Sequence, residues 1–130
     1  MFLPISAAAE YRRSLSNMTT FREMLAEVKS SITEVAPLEA SNQMAEGAHL
    51  LDVREPDELI DGAVEGSIRI PRGMLELSIE AKIPQRSDRI VVMCAGGTRS
   101  ALAVKSLHDL GYDSAVSMAC LLYTSDAADE

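Results

Sequence analysis

The stretch Ile90–Val91–Val92–Met93–Cys94–Ala95–Gly96–Gly97–Thr98–Arg99–Ser100 constrains the fold most, because three different backbone habits meet in it. Ile90 to Met93 is an apolar, mostly β-branched run of the kind that makes a short buried strand. Ser100 to Leu110 then carries Ala103, Val104, Leu107 and Leu110 at helical spacing, and Gly111 stands where a glycine ends a helix. The reading is strand, tight loop, helix. Cys94 falls at the strand's carboxyl end, and the loop amides point at whatever sits above the helix N-terminus. Such a cradle binds anions.

A thiol held there should lose its proton more easily, since the helix N-terminus and the guanidinium of Arg99 both favour the thiolate. A thiolate is a nucleophile. The plainer reading makes Cys94 a small hydrophobe that finishes a buried strand. Gly96 and Gly97 weigh against it: packing needs neither, and together they let the loop take positive φ angles and bring amides close to the sulfur.

At 130 residues the chain has the length of one domain with a core of its own. Two cysteines make no disulfide framework, and with His49 and His108 far apart they give no metal-ligand spacing. Twenty acidic against 12 basic residues give a formal charge of −8, which argues against nucleic acid and anionic membranes as partners. No apolar run approaches the roughly 18 residues of a membrane span, and Met1 to Ala9 lacks the basic start and long apolar stretch of a signal peptide. The expected setting is cytoplasmic and reducing, which keeps Cys94 a thiol.

Residues 1 to 18 show no clean periodicity, and Met18 stands directly before a helical pattern. They read as an N-terminal extension, with Met18 the expected true start or, alternatively, with a partner-binding arm before it. Phe21, Leu25, Val28 and Ile32 repeat at helical spacing behind Thr19 or Thr20 as a cap, so Phe21 to Ser31 is an expected helix whose stripe is core. Ile32 to Val35 follows as a short edge strand. Pro37 opens a second helix that Gly47 ends. His49 to Val53 is the next strand, with Asp52 and Arg54 at its carboxyl end and Glu58 in a segment too short for more than two turns. This charged trio fits a structural role, tying a loop to its neighbours. Gly66 to Pro71 is a short strand running into Arg72. That arginine either helps hold an anionic substrate near Cys94, as a residue beyond a strand end can, or is a solvated surface group. Met74 to Ala81 is weakly helical, residues 83 to 89 are turn-rich, and Ser114 to Met118 is a fifth strand. Strands and helices alternating in this way point to a parallel α/β sheet covered on both faces.

Three segments together resemble the single-domain rhodaneses, a sulfurtransferase family. They are Leu51–Asp52–Val53–Arg54–Glu55–Pro56 with Glu58 behind it, Gly66 to Pro71 with Arg72 to Glu76, and the Cys94–Ala95–Gly96–Gly97–Thr98–Arg99–Ser100 loop. The resemblance covers about residues 19 to 119, the expected domain. It implies a three-layer α/β/α fold on a five-stranded parallel sheet. It also implies that Cys94 takes a sulfane sulfur from thiosulfate or a persulfide, carries it as a persulfide, and hands it to cyanide or a thiol. The amides of Ala95 to Ser100 would hold the negative charge, and Arg99 would orient the loop or hold the donor's sulfonate end. No cofactor is implied. The alternative is a sulfur-relay or binding module serving another protein. A hydrolase like the cell-cycle-type phosphatases or arsenate reductases is disfavoured, because their loops place five residues between Cys and Arg where this chain has four.

Two departures stand out. Gly62–Ala63–Val64 replaces the family's usual Gly-His-Ile. From Cys120 the chain reads Cys120–Leu121–Leu122–Tyr123–Thr124–Ser125 and on to Glu130, where relatives carry paired glycines and a tryptophan-bearing helix. Residues 120 to 130 are therefore expected to be a divergent, non-native tail that weakens the fold, and Cys120 as a resolving thiol rests only on its being a second cysteine.

Overall fold

The computed structural model describes residues 7–10 and 19–119. The expectations placed on Met18, on Cys120 and on the tail 120–130 lie outside them. Five strands, β1 (Glu34–Val35), β2 (His49–Asp52), β3 (Ile68–Arg69), β4 (Ile90–Met93) and β5 (Ala115–Met118), form one sheet in the order β1-β5-β4-β2-β3. Every pairing is parallel.

Residues 7–10 are helical, and from residue 19 on the helices are α1 (Phe21–Ser31), α2 (Pro37–Ala45), α3 (Leu75–Lys82) and α4 (Thr98–Asp109), with 3-10 turns at Pro56–Asp61 and Arg72–Met74. They cover both faces because β4, the central strand, is buried along its whole length. Its side chains alternate between two cores, as the pleat requires. Ile90 and Val92 join Leu51, Leu75, Ile79, Val104, Leu107 and Tyr112 under α3 and α4. Val91 and Met93 join Leu50, Ala40 and Met118 under α2. The fold is the expected three-layer α/β/α sandwich.

Local chemistry sets the element ends. Thr20 caps α1 reciprocally with Glu23, its hydroxyl accepting the Glu23 N–H at 3.2 Å while the Glu23 carboxylate accepts the Thr20 N–H at 3.2 Å. Gly111, at φ +94°, lets the chain leave α4 in a conformation that a side chain would strain.

The stripe of α1 departs from expectation. Val28 is buried, but Leu25 is only half-buried and Phe21 is 54% exposed. The helix packs on α4, and burial is concentrated toward its C-terminal end, where Val28 is buried and Ile32 just beyond the helix packs against the main core. Together with Leu102 and Lys105 of α4, Met24 and Val28 line an open groove.

Because all strands run the same way, Asp52 and Cys94 meet at one carboxyl edge. Asp52 stands in register with Met93, the residue before Cys94. The backbone N–H of Arg72 reaches the same edge, donating to the Val53 carbonyl at 3.1 Å. No helix among the described residues is long and apolar enough to cross a membrane.

Candidate functional site

Cys94 follows β4 directly, and the loop 95–97 returns the chain into α4. Gly97 takes φ +87° at the position that caps α4, and as a glycine it has no side chain to satisfy the first free N–H groups of the helix. The sulfur of Cys94 does so instead. It accepts the Gly97 N–H at 3.1 Å and the Ser100 N–H at 3.3 Å. The two donors are those of the capping residue and the third helical residue. The positive end of the α4 dipole thus bears on the sulfur. Of the two loop glycines it is Gly97 that adopts positive φ, and its amide is one of those brought to the sulfur.

Cys94 is 1% exposed and belongs to the main core cluster, so the plainer reading of its position is right about burial. Its polar partners set it apart from an inert buried thiol. Besides the two amides, the Ser100 hydroxyl lies 3.4 Å from the sulfur as acceptor of the thiol proton. That hydroxyl also donates to the Gly97 carbonyl at 3.2 Å and lies 2.8 Å from the hydroxyl of Ser117 on β5. Around the sulfur, Ala95 and Thr98 are half-buried and Gly96 is exposed.

Arg99 points from the first turn of α4 to Glu58. Its Nη1 and Nη2 donate to the two carboxylate oxygens at 2.5 and 2.8 Å, and Glu58 also accepts the Glu55 N–H at 2.9 Å. The Arg99 hydrogen bonds, then the Glu55 amide, hold the Glu58 carboxyl down to about 2, against a smaller opposing push from burial. The same carboxylate is the chief reason the Arg99 guanidinium is raised above its ordinary value, with a minor contribution from the charge of Cys94. Arg99 is therefore engaged in fixing the loop to the segment after β2.

Asp52 and Arg54 form a second pair beside it. Asp52, fully buried, accepts from the Arg54 backbone N–H at 3.1 Å and from Nε and Nη2 at 3.0 and 2.9 Å. Arg54 Nη2 also donates to the Gly62 carbonyl at 3.0 Å, tying down the far end of the 3-10 turn that carries Glu58. The hydrogen bonds it donates to Asp52 raise the Arg54 guanidinium above its usual range, against the effect of burial.

Arg72 is not brought to this cradle. Its guanidinium donates to Glu76 at 3.0 Å and to the Ser106 hydroxyl at 3.0 Å, and it borders the groove between α1 and α4. Ser106 lies six residues beyond Ser100, about 9 Å along the helix. The strand end delivers the Arg72 backbone to the right edge, but the side chain turns back over α4. His49 and His108 are likewise elsewhere, against Asp88 and the Ala115 carbonyl. Among the described residues no three His, Cys, Asp or Glu side chains gather as a metal-ligand set.

Ser117 escaped the reading of the sequence. The available signal was a lone hydroxyl in the apolar strand Ala115–Val116–Ser117–Met118, on the inward side with Ala115.

The rhodanese-like domain family model matches residues 36–119. Thiosulfate sulfurtransferase PspE of Escherichia coli is 33% identical over 64 residues, which make up 49% of this chain and 62% of that one. The chain spans about half to three-fifths the length of the curated relatives it matches. Among solved structures, a Rhodopseudomonas palustris protein of unknown function, carrying the suggestion of a tyrosine phosphatase, superposes with a TM-score of 0.72 at 31% identity, over 86% of this chain and 95% of its own. A human single-domain sulfurtransferase superposes with a TM-score of 0.61 at 28% identity, over 75% of this chain and 96% of its own. With the matched region running from the start of α2 through β5 and including both the Asp52–Arg54 segment and the Cys94 loop, the chain belongs to the rhodanese-like domain family.

Proposed function

We propose that this protein is a sulfurtransferase in which Cys94 carries the sulfur. The observation that carries the reading is the pair of helix N-terminal amides, Gly97 and Ser100, on a single sulfur atom at the carboxyl edge of a parallel sheet. Donors fixed in this way stabilise negative charge on sulfur without reorganising.

The Cys94 thiolate attacks the sulfane sulfur of thiosulfate. A Cys–S–S⁻ persulfide forms, the donor's S–S bond breaks, and sulfite leaves with the bonding electron pair. Cyanide or a thiolate then attacks the outer sulfur, giving thiocyanate or a new persulfide and returning the Cys94 thiolate. Charge balances at both steps, and neither needs a general base. A low-molecular-weight or protein-bound persulfide serves equally as donor. Arg99, gripped by Glu58, keeps the loop closed around the sulfur.

The spacing weighs against phosphate ester hydrolysis. Four residues separate Cys94 from Arg99, giving a ring of amides suited to one sulfur atom and crowded for a tetrahedral phosphate. The Arg99 fork is also already occupied by a carboxylate.

Incubation with thiosulfate followed by intact mass tests the reading. A gain of one sulfur on the wild type that is lost in Cys94→Ser is the expected result. No retained sulfur together with cleavage of an aryl phosphate would overturn it. Steady turnover with cyanide identifies an enzyme, whereas a single loading without turnover identifies a relay that needs its partner.

A further inference from the structure

Among the described residues, four polar or charged side chains are buried: Asp52, Arg54, Ser100 and Ser117. The first two satisfy each other, and Ser100 faces the sulfur. Ser117 has no part in the chemistry above. It sits on β5 in register with Val92, two residues before Cys94, and its backbone N–H already donates to the Thr33 carbonyl at 2.9 Å. Its hydroxyl, 0% exposed, lies 2.8 Å from Ser100 Oγ.

Ser100 thus has three neighbours and one proton. The Gly97 carbonyl only accepts, the Ser117 hydroxyl does either, and the requirement of the sulfur changes with its state. A Cys94 thiol donates to Ser100, which is then free to donate to Gly97. A thiolate only accepts, so the Ser100 proton must turn from the Gly97 carbonyl to the sulfur. This leaves the Ser100 lone pairs open to a donor, and Ser117 is the hydroxyl in reach.

We propose that Ser117 is a positioning residue for the Cys94 sulfur: it donates to Ser100 Oγ whenever Cys94 is a thiolate, so that the Ser100 proton faces the charge. This rests on Cys94 being the sulfur carrier, since the thiolate opens and closes each transfer. Hydroxyls in a chain polarise one another in a buried site, which strengthens the final bond to the charged atom. In the persulfide the charge moves to the outer sulfur, and the chain is released from this task.

The test reads thiolate ultraviolet absorbance against pH in a Cys120→Ser background, where Cys94 is the sole thiol. It requires no sulfur donor, so its result is separate from that of the loading experiment. The charged group that bears on the sulfur is Arg99 on α4, itself held by Glu58 from the 3-10 turn; the Asp52–Arg54 pair lies at the end of β2, with Asp52 in register with Met93, the residue before Cys94. All stay in place.

In Ser117→Ala the thiolate fraction, compared with the wild type at one pH on the acidic side of the observed transition, should fall about threefold or more, and Ser117→Thr should restore it. In a Ser100→Ala background the same Ser117→Ala change should have no effect, because Ser117 acts only through Ser100. A Ser117→Ala profile that coincides with the wild type overturns the proposal, as does a shift that persists without Ser100. Should alanine loosen the sheet, Ser117→Thr against Ser117→Val compares two side chains of equal shape, and coincident profiles there also overturn it.

Discussion

Glu58 and Arg99, 41 residues apart in sequence, meet fork to fork at 2.5 and 2.8 Å, so that the segment after β2 holds the loop after β4. The pair makes stability depend on pH in a defined direction. The folded Glu58 carboxyl is held at about 2, below its unfolded value of about 4.3. The unfolded chain therefore binds the extra proton between those values. The contribution is complete above about pH 5 and is lost as pH falls toward 2. With side chains 33% and 32% exposed, solvent screens the pair, and about 1 kcal/mol is expected. Denaturant unfolding of wild type and Glu58→Gln should differ by that amount at pH 7, by about half of it near pH 3, and converge only as pH approaches 2. A gap independent of pH would show that the ion pair does not carry it.

The Asp52–Arg54 pair should matter more for stability. Removing one partner from a buried, fully hydrogen-bonded pair leaves an uncompensated charge, which costs about 3–5 kcal/mol. Asp52→Ala should therefore lower the urea midpoint sharply against a total stability of roughly 5–15 kcal/mol. A loss under about 1 kcal/mol would place this pair with ordinary surface ion pairs.

Gly97→Ala addresses the cradle itself. At φ +87° a Cβ is strained by about 1 kcal/mol, and relief of that strain moves one of the two amides off the sulfur. Sulfur loading from thiosulfate, followed by intact mass, should slow about tenfold or more while the folded protein persists. Loading at the wild-type rate would remove the Gly97 amide from the account.

Arg72→Met should leave the loading rate within about twofold of wild type and cost about 0.5–1 kcal/mol, since its guanidinium serves Glu76 and Ser106. A tenfold loss of loading would return Arg72 to the neighbourhood of the donor.

Local pattern in the sequence determined the alternation of strands and helices, the strand–loop–helix turn at Cys94, the capping by Thr20 and Gly111, and, through motif order, the family. These rest on interactions within a few residues: apolar periodicity, glycine conformation, a capping hydroxyl. Tertiary structure decided what depended on parallel register. Pairing β4 with β5 brought Ser117 to within 2.8 Å of Ser100. The path of the chain after β2 brought Glu58 to Arg99, and the direction of the Arg72 side chain took it to Ser106. The sequence named Cys94, but only the fold showed that its sulfur serves as the cap of α4. Side-chain direction and long-range register are set by packing across the sheet, and one-dimensional spacing does not encode them.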